Sequence, residues 1–157
     1  MRTPSLTPFC TLRVQVAAPA TIGDTTDGTR RIVPITGGTV AGTDPGGRPF
    51  TGTILPAGAD VQRGVSATVT ELDARYGIAL DDGEHLFVHN AAVRSGSAED
   101  LAAIARSEPV DPARLYFRSW PRLHGTGERW AWLAGRLFVG TGERRPDAVD
   151  LAFFLLD

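Results

Sequence analysis

The run from Thr70 to Arg94, TELDARYGIALDDGEHLFVHNAAVR, constrains the fold more than any other stretch of the chain. Apolar and polar residues alternate on both sides of Asp82-Gly83, and a period of two marks strands buried on one face. Asp-Gly favours a two-residue type I′ turn, whose central positions both need positive φ. A long antiparallel hairpin is therefore expected. With Asp82 and Gly83 as its loop, Asp81 faces Glu84, Tyr76 faces His89, Ile78 faces Phe87 and Ala74 faces Ala91, while Leu72 and Val93 complete that side. This side is apolar except for the Tyr76 hydroxyl and the His89 imidazole, as a pocket wall should be, and it is assigned inward. The other side sets Glu71 across from Arg94, Asp73 across from Ala92 and Arg75 across from Asn90. It reads as an outer ladder of ion pairs, each contributing about 0.2–1 kcal/mol.

The rest of the chain repeats the theme of short strands and Gly/Pro turns. Phe9 to Val16, Arg30 to Thr36 and Pro49 to Leu55 read as strands, with Gly37-Gly38 bending the sheet and Asp44 to Gly47 forming a turn. Pro56 to Asp60 is expected to be a loop that delivers the Asp60 carboxylate. One helix is expected after Ser97, which can cap it, with Glu99 and Asp100 in its first turn and Leu101, Ile104 and Ala105 as its apolar stripe. Arg114 to Trp120 is a strand closed by Pro121. The segment Pro121 to Gly127 is a loop carrying His124, and Trp130 to Leu133 leads into a strand at Arg136 to Thr141. Val149 to Leu156 is apolar enough to be buried on both faces. Eight to ten strands with one short helix point to an all-β fold, a small antiparallel β-barrel, because closure removes exposed strand edges. Its 157 residues suit a single domain, 1–157.

Composition excludes several classes of function. A net charge of −2 leaves no basic footprint for nucleic acid. No apolar run approaches a membrane span, and Pro4 and Pro8 interrupt any signal-peptide core, so a cytoplasmic protein is expected. All sixteen basic residues are arginine, which excludes Schiff-base chemistry and covalent pyridoxal phosphate, since both need a lysine amine. The lone Cys10 allows no intrachain disulfide and is expected to be buried and inert. His85 and His89 are spaced as helical metal ligands but lie on a strand, roughly 13 Å apart, so no metal is expected. No glycine pair precedes a helix as a phosphate cradle would, and no cofactor is expected.

The segments Thr36-Gly37-Gly38-Thr39, Leu55-Pro56-Ala57-Gly58-Ala59-Asp60, Leu72-Asp73-Ala74-Arg75-Tyr76, Asp81-Asp82-Gly83, Tyr116-Phe117-Arg118 and Ala131-Trp132-Leu133 resemble, in order and spacing, the domain-of-unknown-function family numbered 3237. The resemblance runs from Phe9 to Leu156. It implies a lipocalin-like or calycin-like barrel, often oligomeric, and draws attention to Asp60, Asp73, Arg75, Arg94, Tyr116 and Arg118 as positions of the family pattern. It implies no particular reaction. This chain departs from the pattern at His89, where an arginine is usual, at Leu123-His124 in place of phenylalanine and glutamate, and at Val61 in place of tryptophan.

Two of those departures introduce imidazoles, groups that exchange protons near neutral pH. The expected function is accordingly a small-molecule-binding barrel working as a cofactor-independent isomerase, dehydratase or cyclase. Its substrate would be an apolar carbonyl-bearing or aromatic, polyketide-type compound of secondary metabolism. The alternative is a carrier or sensor of a small hydrophobic ligand. His89, Tyr76, Asp73 and Arg75 form the expected catalytic set. Asp60, Phe87, Arg94, Tyr116, Arg118, Trp120, His124 and Trp132 form the expected substrate-binding set. The expected partners are that ligand and a second copy of the chain, with neither nucleic acid nor membrane.

Overall fold

The computed structural model describes residues 1–157. Its strands are β1 (Leu6–Val16), β2 (Ala20–Thr25), β3 (Gly28–Thr43), β4 (Pro49–Ser66), β5 (Val69–Leu80), β6 (His85–Ser95), β7 (Tyr116–Gly125), β8 (Phe138–Arg144) and β9 (Ala148–Leu156). All pair antiparallel with a neighbour in the order β1-β9-β8-β7-β6-β5-β4-β3, and β3 returns to β1. Eight strands thus close a barrel, and β2 flanks the first half of β3 outside the ring.

Closure depends on β3 serving two partners in succession, β2 along Gly28–Ile32 and β1 along Ile35–Gly42. The change falls at Gly37-Gly38. Val33 and Ile35 are buried before it, Val40 after it, so the two glycines switch which alternate residues face inward. Gly38 has φ +136°, and a Cβ there would overlap the Arg13 carbonyl oxygen. Only a residue without a side chain lets β1 and β3 approach closely enough to seal the barrel.

The β5–β6 hairpin forms, but one residue out of the expected register. Tyr76 pairs with Val88, Arg75 with His89, Ala74 with Asn90 and Thr70 with Arg94. The loop has three residues, Asp81-Asp82-Gly83: the Gly83 N–H donates to the Leu80 carbonyl (3.0 Å) and the Leu80 N–H to the Glu84 carbonyl (2.8 Å). Gly83 alone has positive φ (+89°), whereas a type I′ turn would need it at Asp82 as well. A turn with one left-handed position avoids placing a non-glycine residue there. A one-residue slip moves every β6 side chain to the other face, so Leu86, Val88, Asn90, Ala92 and Arg94 are buried while His89 and Phe87 face outward.

Other differences also shape the interior. Pro56 to Asp60 is not a loop; β4 runs through it, with its pairing to β5 interrupted between Ile54 and Gly58, and then turns Gln62 into the core. Pro121 lies inside β7 rather than ending it. Since β7 pairs with β8 only at Arg118 and Ser119, the missing N–H of Pro121 interrupts no ladder on that side. The Trp130–Leu133 segment belongs to a 3-10 helix, Glu128–Gly135, that plugs one end of the barrel. Trp130 is fully buried, 5.0 Å edge-on from Phe50, and Trp132 lies edge-on to Phe9 at 5.7 Å. Arg129 fastens the plug by ion pairs to Asp44 and Asp82, each at 3.0 Å. The last strand, β9, alternates buried and half-buried residues rather than burying both faces.

The helix α1 (Ala98–Ala105) follows β6 as expected, with the Ser97 hydroxyl accepting the Asp100 N–H at 3.0 Å. Leu101 and Ile104 are its buried stripe. Its last turn meets Arg31, whose Nη1 donates to the Ala105 carbonyl (3.4 Å). No helix is long and apolar enough to cross a membrane.

Candidate lumen site

The barrel interior is apolar except for one polar cluster away from the plugged end. Asp60 and Gln62 enter from β4, Tyr76 from β5, and Asn90 and Arg94 from β6. Arg144 of β8 and Phe117 of β7 complete the lining, across from Val14, Val16, Val149 and Leu151. The free space they enclose is about 40 Å³. That holds a few waters but falls well short of the roughly 150 Å³ of a cavity that accommodates benzene. Phe87, Tyr116 and Trp120, expected to hold an aromatic ligand there, are exposed instead.

Arg94 is the most unusual residue of the site. It is 2% exposed, yet its Nε and Nη1 have no hydrogen-bond partner in the protein. The guanidinium carbon lies 5.8 Å from the centre of the Phe117 ring, a cation–π contact that accounts for one face of the group but satisfies no N–H. Burial, followed by repulsion from Arg31, lowers the Arg94 pKa to about 10, with Asp60 acting in the opposite direction. Arg31 and Arg144 also titrate lower than usual, again mainly through burial. None of the ion pairs in the protein includes Arg31, Arg94 or Arg144.

Asp60 is the single carboxylate of the lining. Its Oδ1 accepts the Asp73 backbone N–H (3.0 Å) and its Oδ2 the Gln62 Nε2–H (2.6 Å), while Gln62 Oε1 accepts from Arg31 Nε (2.7 Å). Burial raises its pKa above the ordinary aspartate range, and the Gln62 hydrogen bond and the charge of Arg94 only partly offset that. A carboxylate has about four lone-pair sites, so each oxygen retains one for a ligand or a proton. The Tyr76 hydroxyl, Asn90 Oδ1 and Ser119 Oγ are also buried without partners. Burial pushes the Tyr76 phenol well above its usual range, keeping it a neutral donor.

The expected site residues therefore separate into three groups. Asp60, Tyr76 and Arg94 meet in the lumen, and Arg94 is there because of the hairpin slip that removes it from the outer ladder. Asp73, Arg75, Phe87, His89, Tyr116, Arg118, Trp120 and His124 lie on the outer wall. His89 Nε2 is 2.7 Å from Asp73 Oδ1, Arg75 Nε is 3.8 Å from the same oxygen, and Arg118 stacks over Tyr116 at 5.2 Å. Trp132 belongs to the plug. The departures from the family pattern at His89, His124 and Val61 are likewise all on the outside, so no imidazole enters the lumen. Arg31, Gln62, Asn90, Ser119 and Arg144 were not anticipated. Strand alternation marks Arg31 as sharing a face with Val33 and Ile35, and Gln62 as sharing one with Asp60. Asn90 and Ser119 required the register.

Residues 4–156 match the family described as "Protein of unknown function (DUF3237)". The chain belongs to this family. A UPF0311 protein of Bradyrhizobium diazoefficiens is 37% identical over 139 residues, covering 88% of each chain. The crystal structure of a conserved protein of unknown function from Rhodopseudomonas palustris superposes with a TM-score of 0.91 at 34% identity, over all of both chains. An enzyme from Penicillium herquei matches with a TM-score of 0.70 over 100% of this chain and 97% of its own, at 17% identity, a likeness of fold.

Proposed function

We propose that the lumen binds a small apolar molecule bearing a carbonyl group, and that the protein is a cofactor-independent acid–base enzyme of the isomerase, dehydratase or cyclase kind. The observation that carries this reading is Arg94, a buried guanidinium with two unpartnered nitrogens beside a carboxylate whose pKa is raised. Leaving a buried charged group unsatisfied is costly, and such groups concentrate where a ligand completes them. In the simplest step Asp60 takes a proton from the carbon next to the carbonyl, the carbonyl oxygen becomes an enolate, and Arg94 holds that oxyanion. Asp60 then returns the proton to another carbon, or to a leaving hydroxyl. His89, Asp73 and Arg75 have no part in this step. A carrier without chemistry is the rival reading, favoured by the hydrogen bonds that already fix both Asp60 oxygens.

The test begins with native mass spectrometry of protein purified from its host, to identify a bound molecule, followed by single-turnover assays on that molecule. Asp60→Asn should bind it and fail to convert it, and Arg94→Met should weaken binding. Binding with no conversion by the wild type would leave the carrier. The exposed Phe87, Tyr116 and Trp120 of the outer wall are where we place self-association, and Trp120→Ser is expected to reduce the mass seen by light scattering if the chain is a dimer.

A further inference from the structure

One oxyanion calls for one guanidinium, and three stand close together at this end of the barrel. Arg94 and Arg144 line the cavity, and half-buried Arg31, on the face of β3 that carries Val33 and Ile35, lies close enough to lower the pKa of both. The two outer arginines are held in place by neutral groups. Arg31 donates to Gln62 and to the Ala105 carbonyl, and Arg144 donates to the carbonyls of Ala148 and Pro146, each at 3.1 Å. Both keep N–H groups to spare, Arg31 positioned by the Gln62 side chain and a helix carbonyl and Arg144 by two backbone carbonyls, which lowers the cost of ordering them when an anion arrives. Asp60 is the one negative group of the lining, and both its oxygens are already engaged, by the Gln62 amide and the Asp73 N–H. On the opposite wall Val14, Val16, Val149 and Leu151 offer only methyl groups. The cavity of about 40 Å³ excludes a ring system without rearrangement. Deeper in, Asn90 Oδ1 and the Tyr76 hydroxyl await a further polar atom.

We propose that the ligand is a short-chain oxo or hydroxy carboxylic acid, its carboxylate held between Arg31 and Arg144 and its second oxygen directed to Arg94, with its carbon chain against the valines. This rests on the lumen reading above, keeps its oxygen at Arg94 and replaces a wholly apolar ligand with one that carries a carboxylate. The assignment predicts an ordered preference among three probes, pyruvate, propionate and acetone. Pyruvate carries both features, propionate only the carboxylate, and acetone only the carbonyl.

Calorimetric titration and thermal shift with these three compounds test it on the wild type, on the Arg31→Gln/Arg144→Gln double variant and on Arg94→Met. The rim arginines are half-buried and bonded to neutral groups, so their replacement is compatible with folding, and circular dichroism checks that. Pyruvate should bind the wild type about tenfold or more tighter than acetone, as charge-assisted hydrogen bonds imply. The double variant should lose that preference, and Arg94→Met should equalise pyruvate and propionate. Equal binding of acetone and pyruvate to the wild type would overturn the acid assignment and leave the lumen reading standing. Pyruvate affinity unchanged in the double variant would overturn the roles of Arg31 and Arg144. Absence of binding by all three would overturn both readings.

Discussion

Replacing Arg94 with methionine should make the protein more stable while weakening its ligand binding. Burial, the largest cause, lowers the pKa of this guanidinium to about 10. At about 1.4 kcal/mol for each tenfold change in proton affinity, the charged form carries roughly 3 kcal/mol of unfavourable interaction in the folded state. Methionine keeps the unbranched stem that lies beside Phe117 and removes the charge, at the expense of leaving Asp60 without its nearest compensating cation. Asp60 can answer that by holding its proton more tightly. A net gain of about 1–3 kcal/mol is expected, in the range seen when buried charges give way to apolar side chains. For a chain of this size that is roughly 3–10 °C in Tm. Because the Arg94 pKa is lowered, both folded and unfolded chains are fully protonated below about pH 10, so the difference should be flat with pH from 6 to 9 and shrink only as pH rises through that value. Differential scanning calorimetry of wild type and variant across that range measures it. A lower Tm for the variant would refute the reasoning, since it would mean that Arg94 is a satisfied structural group and not one awaiting a ligand.

Asp60→Asn should abolish conversion of any turned-over ligand, and wild-type rate should rise with pH through a value above the 3.8 typical of aspartate, since the base must be ionised. The stability slope has the opposite sense: the native chain holds this proton after the unfolded chain has lost it, so stability falls as pH rises through that window, and the asparagine variant should lack that component in pH-resolved denaturation. His89→Phe should leave ligand affinity unchanged and cost no more than about 1 kcal/mol in urea titration, because its Asp73 partner is at the surface. A loss of ligand affinity there would contradict the hairpin register. Gly38→Ala should destabilise by roughly 1–3 kcal/mol in the same titration, since the added methyl meets the Arg13 carbonyl where β1 and β3 close the ring. Cys10 is buried with its thiol pKa pushed up, and it should resist alkylation in the native protein and react after denaturation, as mass spectrometry would show.

The amino-acid sequence by itself determined the all-β character, the closed antiparallel barrel, the Ser97-capped helix and the family, because alternation, turn residues and caps are local signals that neighbouring residues carry. It also located Tyr76, whose side follows from alternation within one strand, whereas Asp60 reads as the end of a loop and reaches the lumen because β4 continues through it. The contents of the lumen depended on quantities that are not local. Asp-Asp-Gly allows two loop lengths that differ by one residue, and the closed sheet selects the longer, in which Leu86, Val88 and Ala92 face inward and Gly83 alone is left-handed. That slip brings Arg94 inside and sends His89 out. Likewise, only barrel closure brings Arg31 and Arg144, 113 positions apart in the chain, close enough to act on each other's charge. A one-residue change in register costs little within a hairpin but exchanges every side chain between core and solvent. The burial of the whole barrel therefore decides it, and with it the chemistry of the site.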